Sequence, residues 1–402
     1  MSVDEGIAGQ LKQNRIAYID GVRGLAALMV VVYHYLLSFY PALFMYDADA
    51  QYIHTSRNIE QSIGFSPISV LWNSRFAVTL FFVISGYALS YKYFVTKDRE
   101  YLSSSAIRRY VRLVVPVFFS VLVSFILIKT GAYSNVFTAD NFTKSTYYLG
   151  SWWKGDVSFM GVLNESFRTV FFAGATSTYN PVLWTMIIEF FGSMLVFATL
   201  ALFGNFSKRY LVYAILIVLI HSNFMPAFII GLALCDYYHS EERKKSPKIS
   251  VFLIFLFALY IGGYQSLQAS NAWGIFDFIE VAGSAFPFII GASCFLFAVI
   301  NSEWLKRFFS SKPLQFLGRI SFSLYLIHLI IIGSLACYLF GYFYTTLHLN
   351  YGLSFILMFI VSLCFTFGTS FIMYRYIDNN GIRLSKWIYL KFFSPNKPEK
   401  GE

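Results

Sequence analysis

The stretch Tyr18 to Leu37, YIDGVRGLAALMVVVYHYLL, has the length and apolarity of a helix that crosses a bilayer, and it carries Asp20, Arg23 and His34. Ionisable groups in hydrocarbon are costly, and they mark function unless something pairs with them. In an α-helix an offset of 11 residues is about 1100° of rotation, which places Arg23 and His34 about 20° apart on one face and about 16 Å apart along the axis. One face thus holds a cation near one membrane surface and a titratable imidazole deeper in. The competing reading pairs Asp20 with Arg23 at the interface, where an arginine snorkels to water. That reading leaves His34 unexplained, because a mid-helix imidazole needs a partner or a cavity.

The rest of the chain has the same character. Only 13% of its 402 residues are charged, against about 25% in a soluble domain, and 57% are hydrophobic. The sequence predicts an all-α, polytopic integral membrane protein with about ten transmembrane helices, at 19–39, 76–94, 111–129, 182–203, 210–222, 224–239, 249–264, 283–301, 320–340 and 351–374. With that arrangement 24 Lys and Arg fall on one side and 6 on the other. The positive-inside rule then puts both termini in the cytosol, and the +10 net charge belongs to cytoplasmic loops and not to a nucleic-acid surface. The polar start, with Lys12 and Arg15, lacks a convincing cleavage site after the first span, so that span is expected to stay attached. Residues 1–374 form the transmembrane domain, and 375–402 a cytosolic basic tail. A multi-pass protein of the cell membrane or an endomembrane is expected. Cys235, Cys294, Cys337 and Cys364 lie in apolar runs without CxxC spacing, so neither a disulfide framework nor a metal site is expected.

Four further stretches carry polar chemistry in apolar surroundings. In FAVTLFFVISGYALSYKYF, Ser85 and Gly86 are small enough to admit a neighbouring helix. In AIRRYVRLVVP, Arg108, Arg109 and Arg112 crowd the cytosolic entrance of the third span, and Arg109 and Arg112, at i and i+3, form a fork suited to phosphate oxygens. Each arginine alone also serves as an ordinary interfacial anchor. In NPVLWTMIIEFFGSML, Glu189 lies two turns into an apolar helix, as a buried partner or an acid/base group, at a depth His34 could share. In FLGRISFSLYLIHLII, Tyr325 and His328 read as polar contacts between helices.

Together these stretches resemble the membrane-bound acyltransferase 3 family. DGVRGLAALMVVVYH is similar to its first-helix signature, and FFVISGY, RRYVRLVVP, LWTMIIEF and LGRISFSLYLIH follow in its order. The LWT-x-x-x-EFxGS form resembles the branch common in fungi and is also compatible with bacterial relatives. The resemblance implies transfer of an acyl group, usually acetyl, from cytosolic acyl-CoA to a hydroxyl of a sugar, glycolipid or small-molecule acceptor in or at membrane lipid. It places the family's essential arginine and histidine on Arg23 and His34, and its RxxR motif on Arg109 and Arg112. Many bacterial members have paired acidic residues where this chain has Glu189 followed by Phe190. On this reading Arg23, Arg108, Arg109 and Arg112 hold acyl-CoA, the co-substrate, while His34 and Glu189 are catalytic. His34 would act as general base, or as a nucleophile forming a transient acyl-imidazole. A proton-coupled secondary transporter would use the same buried His, Arg and Glu, but no inverted repeat or matched pair of broken helices is apparent.

Overall fold

A computed structural model describes residues 16–393 except 46–47, 56, 175–176, 222, 241–242, 244–245 and 265–284. The polar start with Lys12 and Arg15, and the terminal SPNKPEKGE, lie outside the described residues. Among the described residues every regular element is helical. The main ones are α1 (Ala17–Phe39), α2 (Ser74–Thr96), α3 (Glu100–Lys129), α4 (Thr185–Phe203), α5 (Arg209–Leu219), α6 (Met225–His239), α7 (Lys248–Gly262), α8 (Phe286–Asn301), α9 (Glu303–Phe309), α10 (Lys312–Thr346) and α11 (Tyr351–Phe392).

Six helices among the described residues are long and apolar enough to cross a bilayer: α1, α2, α3, α4 with its leading turn, α10 and α11. A seventh crossing arises if α8 and α9, bent by 101°, act as one broken span. Length therefore shows six or seven spans among the described residues, and the expected ten is not confirmed. The expected spans at 210–222, 224–239, 249–264 and 283–301 are helices of 11, 15, 15 and 16 residues. A 15-residue helix is only about 22 Å long, against a hydrocarbon core of about 30 Å. An apolar run measures how much chain avoids water, not where its helix stops.

The bundle is set by close helix crossings. A Cβ on Gly318 of α10 would lie 2.0 Å from the Asp20 carbonyl of α1, and one on Gly24 would lie 2.5 Å from Gly318 N. Only glycine lets these backbones touch, and the crossing brings Asp20, Arg23 and Arg319 to one level. Gly86 of α2 is likewise pressed on the Phe228 carbonyl of α6, so packing accounts for it, as the sequence suggested. Asn73 caps α2 by accepting from Phe76 N at 3.1 Å, which fixes where that helix begins.

Apolar side chains such as Leu211, Leu253 and Ile360 are exposed on the outer faces of α5, α7 and α11, as lipid contact requires. α11 passes residue 374 without a break and ends packed on α3, with Gly381 against Val115 and Pro116. At the other end of the bundle the described parts of the connections 40–73 and 130–180 fold over the end of α1. Ser145 Oγ donates to the Leu37 carbonyl at 3.0 Å, and His54 Nε2 donates to the Thr143 carbonyl at 3.0 Å. The His54 ring stacks on Tyr351 with centroids 4.1 Å apart.

Candidate active site

Where α1, α2, α3, α4, α10 and α11 meet, they line a partly open cavity of about 210 Å³. Arg23, Arg109, Arg112 and Arg319 line it, together with Asp20, Glu189 and Asp378. Asp20 and Arg23 both face this space, and among the described ion pairs none joins them. Asp378 and Ile382, from the segment expected to be a separate tail, form part of its wall.

The arginines are not equivalent. Arg109 is buried, with Nε donating to Ser193 Oγ at 2.8 Å and Nη2 paired with Glu189 Oε1. Ser85 Oγ donates to the same carboxylate oxygen at 3.0 Å. Two helices are thereby tied to α4, and the carboxylate charge is matched by the Arg109 guanidinium through Oε1. Arg112, one turn along α3, is exposed and lines the cavity, as do Arg23 and Arg319. The fork expected of Arg109 and Arg112 is therefore split, one arm held by the protein and the other open. Arg108 donates from Nε to the Ser104 carbonyl at 3.0 Å and is not among the cavity-lining side chains.

Away from the arginines the cavity ends at Tyr325, whose hydroxyl lies 2.8 Å from Thr185 Oγ1 and 2.7 Å from the Val182 carbonyl. Behind Tyr325, at 6.0 Å between ring centroids, is the fully buried His328. Its Nε2 is 2.9 Å from Nδ1 of His34. Carbonyls only accept, so the contact of His328 Nδ1 with the Leu324 carbonyl at 3.1 Å puts the proton on Nδ1 and leaves Nε2 an acceptor. His34 Nδ1 then carries a proton shared between the Val30 carbonyl at 2.8 Å and His328. The lone pair of His34 Nε2 is left without a protein hydrogen-bond partner among the described contacts. That is the tautomer a general base or nucleophile needs.

His34 is half-buried, between the edge of Tyr33 at 5.0 Å and the near-parallel ring of Tyr148 at 6.0 Å. It does not line the arginine cavity, and Glu189 is not beside it. Glu189 lines the arginine cavity, where Arg109 and Ser85 hold its carboxylate. The partner of His34 is His328, which the sequence read as a polar contact between helices without naming its partner, and which makes such a contact from α10 to α1. The signal was there: an imidazole in an apolar helix, the same argument that singled out His34.

The family model described as an acyltransferase domain matches residues 16–375. Among curated proteins the chain is similar to acyltransferase clz18 of Cochliobolus lunatus, 25% identical over 90% of this chain and 93% of the relative. It is 24% identical to acyltransferase R4 of a Phoma species, over 81% of this chain and 84% of that one. It is also 24% identical to O-acetyltransferase PaAT-1 of Phomopsis amygdali, over 96% and 87%. No solved structure matches.

Proposed function

Since this chain belongs to the acyltransferase family, as a multi-pass membrane protein, we propose that it moves an acetyl group from cytosolic acetyl-CoA to a hydroxyl of a sugar, glycolipid or secondary-metabolite acceptor. The observation that carries this reading is the pairing of an arginine-lined cavity with a histidine whose Nε2 is free, on either side of Tyr325. The name of the Phomopsis relative, an O-acetyltransferase, supports acetyl as the group and oxygen as the acceptor atom.

Coenzyme A has phosphates at one end and a thioester at the other, joined by a flexible arm. Arg112, Arg23 and Arg319 hold the phosphates, since their guanidinium groups are not engaged as that of Arg109 is. Arg109, held by Glu189 and Ser193, fixes the wall from which Arg112 projects. Glu189 is then an organiser of the cavity and not an acid/base group. The arm passes the Tyr325–Thr185 link, which parts to admit the thioester to His34.

His34 Nε2 takes the proton of the acceptor hydroxyl as its oxygen forms the new bond to the acyl carbon. The C–S bond breaks, and the leaving thiolate takes the proton back from the imidazolium, releasing free CoA. His328 accepts from Nδ1 throughout, keeping the lone pair on Nε2. Incubating [14C]acetyl-CoA with membranes containing the chain tests this. Label in a lipid, glycan or small acceptor, absent with His34→Ala, is the expected result. Saturable uptake without covalent label would instead make the protein a carrier.

A further inference from the structure

Acyl transfer needs a donor for the negative charge that forms on the acyl oxygen, and neither His34 nor His328 supplies one: His34 faces the acceptor as a base, and each Nδ1 proton is already committed. Among the described residues, eleven buried side-chain polar atoms have no hydrogen-bond partner. Two of them, the Tyr148 hydroxyl and Trp152 Nε1, belong to a chain of rings that begins at His34. Tyr148 stacks on His34 at 6.0 Å and 16°, and Trp152 meets Tyr148 edge-on at 6.1 Å. An orphaned buried donor is costly, so its partner is to be sought in what the site binds.

Looseness of the segment does not explain these orphans. Asn135 Nδ2 donates to the Leu149 carbonyl at 2.8 Å and to the Trp152 carbonyl at 3.0 Å. Gly150 N donates to the Ser145 carbonyl at 3.1 Å, and Ser145 in turn is bonded to the end of α1. Trp153 Nε1 donates to the Tyr179 carbonyl at 2.9 Å while its ring stacks on Tyr133 at 4.2 Å. The backbone around Tyr148 and Trp152 is pinned on both sides, and their two polar hydrogens alone are left over. Donors fixed before the reaction, in a site that excludes water, are what a developing oxyanion requires.

We propose that the Tyr148 hydroxyl, with the Trp152 indole N–H beside it, holds the acyl carbonyl oxygen while His34 acts. The inference rests on the acyl-transfer reading above. As the acceptor oxygen bonds to the acyl carbon and His34 Nε2 takes its proton, the carbonyl π pair moves onto the oxygen held by Tyr148. When that pair returns, the C–S bond breaks, and the CoA thiolate leaves with the proton from His34. Tyr148 and Trp152 keep their own protons throughout.

The test compares wild type, Tyr148→Phe and Trp152→Phe in membranes supplied with [14C]acetyl-CoA and a total lipid and glycan extract of the host as acceptor. Tyr148→Phe removes the hydroxyl and keeps the stacked ring. The expected result is a kcat lower by about 100-fold, with KM for acetyl-CoA within about twofold of wild type. Trp152→Phe should lose about 10-fold in kcat on the same scale. Equal gel-filtration profiles and melting temperatures show that the variants fold. An unchanged kcat in folded Tyr148→Phe, or a loss confined to the KM for the extract, overturns the oxyanion role while leaving acyl transfer standing. A wild type that transfers no label overturns the acyl-transfer reading and this inference with it.

Discussion

His328 places its Nε2 2.9 Å from Nδ1 of His34, across a separation of 294 residues. The pair joins α10 to α1 just beyond the glycine crossing that presses those helices together, and it fixes which nitrogen of His34 is free. His34→Ala should lower acyl transfer by at least about 1000-fold with the protein still folded, since both the base and its position are lost. His328→Ala should cost about 10-fold and alter the pH profile of kcat, because the tautomer of His34 is then held by the Val30 carbonyl alone. His328→Gln, which can accept through its amide oxygen, should recover part of that loss. Steady-state rates across pH for the three variants decide it, and a silent His328→Ala would reduce the pair to packing.

The two arginines of α3 should fail differently. Arg112→Ala should raise KM for acetyl-CoA by about 10- to 100-fold with little change in melting temperature, as expected for one charge-assisted contact to phosphate. Arg109→Ala should instead destabilise the protein by about 3–5 kcal/mol, because Glu189 is left in a confined site without its cation. The double variant Arg109→Met, Glu189→Met should regain most of that stability. Thermal unfolding in detergent beside acetyl-CoA kinetics separates the cases, and identical behaviour of the two single variants would refute the division of roles.

Gly318→Ala should prevent the α1–α10 crossing from closing. The new methyl would lie 2.0 Å from the Asp20 carbonyl, a backbone atom that cannot turn aside. A cost of at least about 1–3 kcal/mol follows, together with lost activity because Arg23 and Arg319 flank the contact. A variant with the melting temperature of wild type would show that the helices have room to separate.

A stop after residue 374 should not be tolerated. It removes Asp378 and Ile382 from the cavity wall and uncovers the face of α3 that carries Val115 and Pro116. Loss of folded protein on gel filtration, or a folded protein with a raised KM for acetyl-CoA, is expected. Full activity in the truncated chain would show that residues 375–402 act as a tail outside the catalytic unit.

The loop around His54 should weaken in acid. Burial lowers the His54 imidazole from its ordinary value of 6.5, with the Thr143 carbonyl and Glu60 acting the other way. The unfolded chain therefore binds the proton more readily, so the contribution of His54 to stability is present above about pH 6.5 and is lost as pH falls through the lowered folded value. Protection factors of the amides in residues 48–55 and 57–64, corrected for the slower intrinsic exchange at lower pH, should fall between pH 7 and pH 5, and less so in His54→Phe, which keeps a ring on Tyr351. An equal fall in both would assign the effect to other groups.

The sequence by itself determined the class of molecule and the ends of its polar track. Apolar runs with few charges admit only a membrane helical bundle, and Arg23 and His34 on one face of α1 follow from the helical repeat alone. Their separation along the axis is local geometry, and the structure keeps it: Arg23 lines the cavity and His34 lies beyond its far end. What came from the tertiary structure is everything that depends on which helices touch. Glu189 was legible as a buried carboxylate but not as the partner of Arg109, because the two are 80 residues apart and their meeting depends on how α3 packs on α4. His328 meets His34 through the packing of α10 along α1, a packing in which Gly24 and Gly318 let the two backbones touch. Tyr148 lies in a loop with no periodicity to read, and its place over His34 is fixed by hydrogen bonds from Asn135 and Ser145. Hydropathy reports how each residue prefers its solvent. Partners are chosen by close packing, which a one-dimensional pattern does not contain.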